Sequence, residues 1–419
     1  MSKVRFQDIV KPKEGFLRGP FGGDLKKDIF VQKSSDTYKV YEQGVVLNND
    51  ESIGRYYISN EYFEQKMYKF EVKPKDFLVS CSGVNYGAIH QLSEEIEPGV
   101  INQALLRIRL DPQKIDDNYF YYLFKALIVN MIVGKKGDST IPNFPPLGVI
   151  KDLQFELPEM DYQIKVGSFL KSLDKKIEIN NRINAELEAM AKTLYDYWFV
   201  QFDFPDANGN PYKTSGGKMV YDPTLECEIP EGWSAIRLFD AMDAQYGFPF
   251  DTSKFIDNPS GYAIARIRDV LENTISCYTT EEVDQKYLLK PNDLLIAMDG
   301  NFHINFWSKS DVYLNQRTVR LRDKSNSLIS VFQCYFELSP YIKAREKNVS
   351  RTTVGHLSDK DLKRLYLLSP DPSKSFNPKT LFDSLLNKMM LNRVENKTLS
   401  SLRDWLLPML MNGQVTVKG

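Results

Sequence analysis

Two stretches of the chain concentrate side chains that can contact phosphate. Residues 11–33 contain six basic residues against three acidic ones, and residues 341–364 contain seven against three. Lysine and arginine, interspersed with serine, threonine and asparagine, are the residue types that hold a nucleic-acid backbone in register. Each cluster alone is equally typical of a solvated surface. The pattern therefore indicates nucleic-acid contact without establishing it.

No stretch of the chain has the spacing of a catalytic or cofactor-binding motif. The Gly-Gly-Lys sequence at 216–218 lacks the spacing of a phosphate-binding P-loop. Residues 143–146, Asn-Phe-Pro-Pro, have the letters of an amino-methyltransferase motif in the wrong order. The three histidines have no metal-ligand spacing. The sequence therefore predicts a chain with no catalytic residue and no metal site.

The composition is that of an ordinary globular protein. The chain has 419 residues, 42% of them hydrophobic, which suggests two domains plus connections. Its net charge is −1 and its pI is near 6.4. A nucleic-acid binder that relies on bulk charge is usually more basic. Any contact with DNA is therefore expected from local patches or from partner subunits.

The sequence also predicts the compartment. The four cysteines lie far apart and form no CxxC pair, which predicts reduced thiols rather than a zinc site. No apolar run approaches the ~20 residues of a membrane span, and the N-terminus lacks the apolar core of a signal peptide. We expect a cytoplasmic protein that does not contact a membrane.

The longest regular pattern predicts one helix over residues 160–200. Its apolar residues recur at alternating steps of four and three, as in the a/d seam of a coiled coil. Residues 381–411 repeat the pattern at a constant offset of 212, and Asn180 and Asn184 recur as Asn392 and Asn396. A buried asparagine needs a partner and fixes the register. The seam positions are Leu173, Ile177, Asn180, Asn184, Leu187, Leu194, Leu385, Met389, Asn392, Asn396, Leu399 and Leu406.

The repetition extends to the segments that precede the helices. Asp76 recurs as Asp293, and Asn102-Gln103 recurs as Asn315-Gln316, each time before a strand of alternating apolar and arginine residues. Apolar runs entered from turns predict further strands, and the aromatic-rich stretches 118–133 and 328–344 predict helices. We therefore predict two copies of one α+β domain, each built on a curved, mostly antiparallel sheet and each followed by a long helix.

The predicted organisation has five parts. Residues 202–233 are dense in proline, glycine, asparagine and aspartate, which is typical of a linker. The parts are a first domain over 1–158, a long helix over 159–201, a linker loop over 202–233, a second domain over 234–376 and a C-terminal helix over 377–419.

Loops that match in position but differ in residue type between the copies are the candidate DNA contacts, because two separate targets require such differences. The amides of Asn102-Gln103 and Asn315-Gln316 fit base contact or a structural hydrogen bond, and their shared position favours the structural role. The candidate DNA-binding residues are Arg18, Lys26, Lys27, Asn85, Tyr86, Ser139, Thr140, Tyr246, Arg266, Arg268, Asn301, His303, Arg317, Lys343, Arg351 and Thr352.

The order domain, helix, domain, helix resembles the specificity (S) subunit of Type I restriction-modification systems. The similarity covers essentially the entire chain. It is carried by LDKKIEINNRINAELEAMAKTLYDYWFVQFDFP (173–205), EIPEGW (228–233), YGFPFDTSKF (246–255), RIRD (266–269) and LLPMLMNG (406–413).

The resemblance implies that each domain is a target recognition domain reading one half of a split double-stranded DNA target. It implies that the two long helices pack as an antiparallel coiled coil through their seam residues, set the spacer and dock two methyltransferase subunits. Two restriction subunits then join the complex, which directs adenine methylation or restriction. S-adenosylmethionine, ATP and Mg²⁺ are expected on the partner subunits and no cofactor on this chain. A base-contacting Arg266 or Arg268 does not carry over to the first domain, where Glu42 and Gly44 stand.

Two other functions stay open from the residues. The chain could be the DNA-reading part of a fused methyltransferase-nuclease, although the catalytic and cofactor motifs are missing. It could also be a coiled-coil adaptor between proteins, with no nucleic acid involved.

Overall fold

The computed structural model describes residues 2–21, 23–83, 85–133, 144–300, 302–325, 327–347, 355–373 and 376–417. The chain divides into two compact units, one of residues 1–176 with 399–419 and one of residues 177–398. Each unit contains one of the two predicted domains together with part of each long helix.

The described residues of the first unit form nine strands. The strands are β1 (Ser2–Arg5), β2 (Phe16–Arg18), β3 (Thr37–Tyr41), β4 (Tyr57–Ser59), β5 (Phe77–Ser80), β6 (Ile89–Gln91), β7 (Gly99–Ile101), β8 (Leu105–Ile108) and β9 (Gln154–Leu157). The helices up to the end of the first long helix are α1 (Gln43–Asn48), α2 (Asn60–Tyr62), α3 (Asp117–Leu123), α4 (Val129–Val133), α5 (Leu147–Lys151) and α6 (Met160–Tyr195).

The strands of the first unit form three sheets. An antiparallel sheet has the order β2-β8-β5-β6, a second has the order β4-β3-β7, and β1 pairs with β9. All four residues of β5 are buried, which is why this central strand is a continuous apolar run in the sequence. Strands β3 and β7 pair in parallel. The prediction of one curved sheet was therefore wrong: the apolar runs do not show that the chain changes sheet between β3 and β5.

In the second unit, the part of the chain that the structure describes forms twelve strands. The strands are β10 (Met219–Asp222), β11 (Cys227–Pro230), β12 (Ser234–Arg237), β13 (Met242–Tyr246), β14 (Phe255–Ile256), β15 (Tyr262–Ala265), β16 (Cys277–Thr279), β17 (Leu294–Ala297), β18 (Ile304–Phe306), β19 (Val312–Leu314), β20 (Thr318–Asp323) and β21 (Tyr366–Ser369). The helices are α7 (Leu238–Ala241), α8 (Ile267–Val270), α9 (Val331–Lys347), α10 (Asp359–Lys363) and α11 (Pro378–Met411).

The second unit repeats the sheets of the first. Its four-stranded sheet has the order β13-β20-β17-β18, a second has the order β14-β16-β15-β19, and β12 pairs with β21. Strands β15 and β19 pair in parallel, as β3 and β7 do. The α+β class and the internal duplication are thus confirmed.

A buried ion pair lies at the same place in both copies. Asp76 accepts two hydrogen bonds from the Arg109 guanidinium, at 2.7 and 2.8 Å. Asp293 accepts two from Arg322, at 2.6 and 2.7 Å. Both aspartates are 1% exposed, and a bidentate pair satisfies charges that would be costly to bury alone. Arg109, which directly follows β8, and Arg322 of β20 therefore serve the scaffold of each domain.

The two long helices pack antiparallel in both units, as predicted. In the second unit the side-chain amide of Asn180 donates to Asn396 Oδ1 at 2.9 Å, and that of Asn392 donates to Asn184 Oδ1 at 2.9 Å. Residue numbers rise along one helix as they fall along the other. In the first unit, the Tyr162 hydroxyl donates to the backbone carbonyl of Leu410 at 2.9 Å. None of the twelve predicted seam residues is among the exposed ones.

The segment 202–233 has more regular structure than a linker loop. Strands β10 and β11 pair antiparallel within it. Phe204 and Trp233 are buried, with ring centroids 4.8 Å apart. The density of turn residues in this segment did not indicate the hairpin. Among the described residues, no helix combines the length and the apolar character needed to cross a membrane.

Candidate nucleic-acid interface

The second domain has an open cleft of about 520 Å³ where three loops meet. Four candidate residues, Arg266, Arg268, His303 and Arg317, line it together with the amides of Asn315 and Gln316. The loops follow β15, β17 and β19, so the strand ends of both larger sheets position these side chains. Guanidinium and amide groups are the side chains that form paired hydrogen bonds with base edges. The structure therefore brings the arginines of separate sequence segments into one site.

A short network holds the two arginines after β15. Arg266 Nη2 donates to Ser276 Oγ at 2.7 Å, and Arg268 Nε donates to the same oxygen at 3.1 Å. Ser276 in turn donates to the buried Asp269 at 2.9 Å. Arg266 is partly buried, whereas Arg268 is exposed. This arrangement orients Arg266 within the domain and leaves Arg268 on the surface.

Asp299 holds the other side of the cleft. Its carboxylate lies 3.4 Å from Arg317 Nε and also accepts a hydrogen bond from His356. Neither Asp299 nor His356 was predicted as a site residue, although the loop AMDG has a carboxylate where the matching loop SCSG has Ser82. This difference between otherwise similar loops could have identified Asp299 from the sequence.

Tyr246 lines a neighbouring cleft of about 490 Å³, which Arg317 also borders. The Tyr246 hydroxyl donates to Asp359 at 2.6 Å, and burial raises the pKa of the hydroxyl. Hydrogen bonds from Lys363 and Tyr246 lower the pKa of the Asp359 carboxyl. Tyr246 therefore has a partner within the domain and forms one wall of this second cleft.

The described candidate residues of the first domain have different surroundings. Arg18 is partly buried beside Cys81. Burial raises the pKa of the Cys81 thiol to about 12, and the positive charge of Arg18 opposes this rise. The Tyr86 ring packs edge-on against Phe144, with centroids 6.3 Å apart. Asn85, Lys26 and Lys27 are exposed.

At the position of the Arg266 loop, the first domain has a different polar contact. Gln43 Nε2 donates to Ser80 Oγ and to the Ser82 carbonyl, both at 2.6 Å. The matching loops of the two domains thus present different side chains on the same framework.

The amides beside β8 and β20 have a structural hydrogen bond in both copies. Asn102 Oδ1 accepts from the backbone N–H of Ala104 at 3.0 Å, and Asn315 Oδ1 accepts from that of Gln316 at 2.8 Å. This favours the turn-forming role that the sequence indicated.

The remaining candidates lie elsewhere. Lys343 is exposed on α9. Ser139, Thr140, Asn301, Arg351 and Thr352 lie outside the described residues.

A family model described as the Type I restriction modification DNA specificity domain matches residues 92–189 and 230–390, more than half of the chain. The chain belongs to this family. The Type I restriction enzyme EcoBI specificity subunit of Escherichia coli is 32% identical over 142 residues, which are 34% of this chain and 30% of that protein. The MjaVIII specificity subunit of Methanocaldococcus jannaschii is 23% identical over 437 residues, covering 97% of both proteins.

A solved structure shares the fold of this specificity subunit. The crystal structure of a Type I restriction-modification S subunit from M. genitalium has a TM-score of 0.56 at 16% identity, covering 98% of this chain and 95% of that one. The predicted family and its two-domain, two-helix architecture are therefore confirmed. The cleft of the second domain lies inside a segment matched by the family model, whereas Arg18, Lys26, Lys27, Asn85 and Tyr86 lie outside both matched segments.

Proposed function

We propose that this specificity subunit reads a bipartite double-stranded DNA target, one half with each recognition domain. The observation that carries the proposal is the cleft of the second domain, where three arginines and two amides from separate loops converge on a duplicated scaffold. In the proposal, the antiparallel helices set the spacing between the two half-sites. Two similar reading domains in one chain match a target with two halves, because half-site spacing follows protein geometry.

We propose that the long helices also dock two methyltransferase subunits. In the second unit, α11 exposes Leu391 and Val394, at 65% and 47% of their surface. A shallow groove of about 520 Å³, which includes Thr380, Ser384 and Leu391, lies on the same helix. In the first unit, Trp405 of α11 is 65% exposed. Leu391 and Val394 are three residues apart and therefore neighbours on one face of α11, and a contiguous exposed apolar patch marks an interaction surface.

In the proposal, the partner subunits carry out the catalysis. The methyltransferase and restriction subunits would bind S-adenosylmethionine, ATP and Mg²⁺, and this chain would direct them to adenines within its target in the cytoplasm. The curated relatives support this, since they are named specificity subunits.

A binding experiment separates this function from its rivals. The purified chain is titrated with duplexes of random sequence, alone and with a methyltransferase subunit, and with S-adenosylmethionine in the absence of that subunit. We expect the complex to bind DNA, and we expect the chain alone not to bind S-adenosylmethionine. Binding of S-adenosylmethionine by the isolated chain would support the fused-enzyme alternative. Failure to bind DNA in both forms would support the adaptor.

A further inference from the structure

Arg317 has a backbone conformation that its residue type disfavours. Its φ is 66°, in the left-handed region, and it follows the turn residues Asn315 and Gln316. Arginine is rare in this region. The backbone strain of such a conformation persists where the surrounding structure imposes it, and it is often found at functional sites.

The surroundings of this turn are unusually restrictive. A Cβ atom added at Gly247 would lie 1.8 Å from the Asn315 carbonyl oxygen, so β13 approaches the turn at its backbone. The Gln316 N–H donates to the Phe248 carbonyl at 2.8 Å, and the Met298 N–H donates to the Arg317 carbonyl at 2.8 Å. Two neighbouring segments, 247–248 and the one that contains Met298, therefore fix the position from which the Arg317 side chain extends.

The side chain itself is held at one end and exposed at the other. Arg317 Nε lies 3.4 Å from Asp299, and the side chain remains 57% exposed. Among the described residues, neither Nη atom of Arg317 makes a hydrogen bond. A carboxylate that orients a guanidinium lowers the entropy lost when the remaining N–H groups bind a planar acceptor.

We propose that Arg317 reads a guanine in the half-site of the second domain, donating from its two Nη atoms to O6 and N7 in the major groove. This pairing is the most common specific contact between arginine and a base. Asp299 is the positioning residue that orients the guanidinium. The first domain has Ala104 at the matching place, so its half-site is not read by an arginine there. The inference rests on the proposed function and names one base within the target.

The test selects bound duplexes from a random pool with the complete methyltransferase complex and sequences them. The wild type should retain a guanine at one position of one half-site. Arg317→Gly removes the guanidinium and suits the φ of 66°, so the variant is expected to fold. It should lose that preference by about 5- to 100-fold, with the other half-site unchanged. Asp299→Asn should weaken the same preference less.

A salt titration distinguishes base contact from phosphate contact. Loss of a phosphate contact lowers affinity for all sequences and reduces the salt slope by about one. Lys360→Ala is the matched control, because it removes a charge from an exposed position of the same domain. It should leave every base preference intact. Arg317 is not a base reader if Arg317→Gly keeps the guanine preference or weakens all sequences equally. A wild-type complex that selects no split target would instead contradict the proposed function.

Discussion

The two recognition domains share their interior and differ at the loops of the candidate interface. Asp76 and Asp293 hold matching arginines, and Gly19 and Gly247 allow the same close approach of strands. At the loop ends, Gln43 of the first domain stands where the second has an arginine-containing loop. Gln43 bonds Ser80 and Ser82, whereas Arg266 and Arg268 bond Ser276, so the matching loops differ in the side chains that they hold. The comparison shows how one scaffold can serve two different half-sites.

The buried ion pairs are the most sensitive test of the shared interior. Asp76→Ala leaves the buried Arg109 without its carboxylate, which should cost about 3–5 kcal/mol, and Asp293→Ala leaves the partly buried Arg322 without its carboxylate. The first should cost more, because the Arg109 side chain is 8% exposed and that of Arg322 is 26% exposed. Urea unfolding measures both. Lys75→Ala is the control. It removes an exposed ion pair with Glu94 and should cost less than about 1 kcal/mol. Equal losses in all three variants would show that the aspartate–arginine pairs do not support the scaffolds.

The close approaches should be equivalent in the two domains. Gly19→Ala and Gly247→Ala each place a Cβ atom 1.8 Å from a backbone oxygen. We expect losses of about 1–3 kcal/mol, similar for both, in thermal unfolding. Gly23→Ala is the control, since a Cβ there meets no atom within 4 Å. A large loss in one domain alone would mean that the repeated strands are not equivalent.

The asparagines of the helices should differ according to their burial. Asn392 is 3% exposed and donates to Asn184. Asn396 is partly exposed; it donates to the exposed Asn181 and accepts from the buried Asn180, which also donates to Glu395 and so keeps one acceptor when Asn396 is removed. Asn392→Ala should therefore cost about 1–2 kcal/mol and Asn396→Ala less. Urea unfolding of both variants measures the difference, and the reverse order would contradict the packing described.

The smallest expected effect is a pH dependence of stability from the second domain. Glu337 of α9 accepts hydrogen bonds from Gln333 and from the Leu368 N–H, and burial raises its pKa to about 7. The folded state thus retains a proton that the unfolded state releases near pH 4.5. Stability should fall as pH rises between these values, on the order of 1 kcal/mol because the side chain is partly exposed. The free energy of unfolding of Glu337→Gln, measured across this pH range, should decline less than that of the wild type. An unchanged decline would show that Glu337 is not its source.

The sequence was sufficient for the repeat and the helices but not for the site. Heptad spacing and the constant offset predicted the seam because both depend on local periodicity. The number of sheets and the hairpin within 202–233 depend on long-range pairing that short apolar runs do not encode. Arg266, Arg268 and Arg317 were found as differences between copies. Their grouping with Asp299 and His356 required the fold, since these residues come from four segments of the chain.

The most direct measurement of the central claim is the DNA sequence selected after a loop transplant. Residues 299–303 and 315–317 of the second domain are replaced by residues 82–86 and 102–104 of the first, and the methyltransferase complex selects duplexes from a random pool. If two similar scaffolds read separate half-sites through their loops, the half-site of the second domain changes while the other half-site and the spacer stay the same. Alteration of both half-sites, or of neither, would contradict this account.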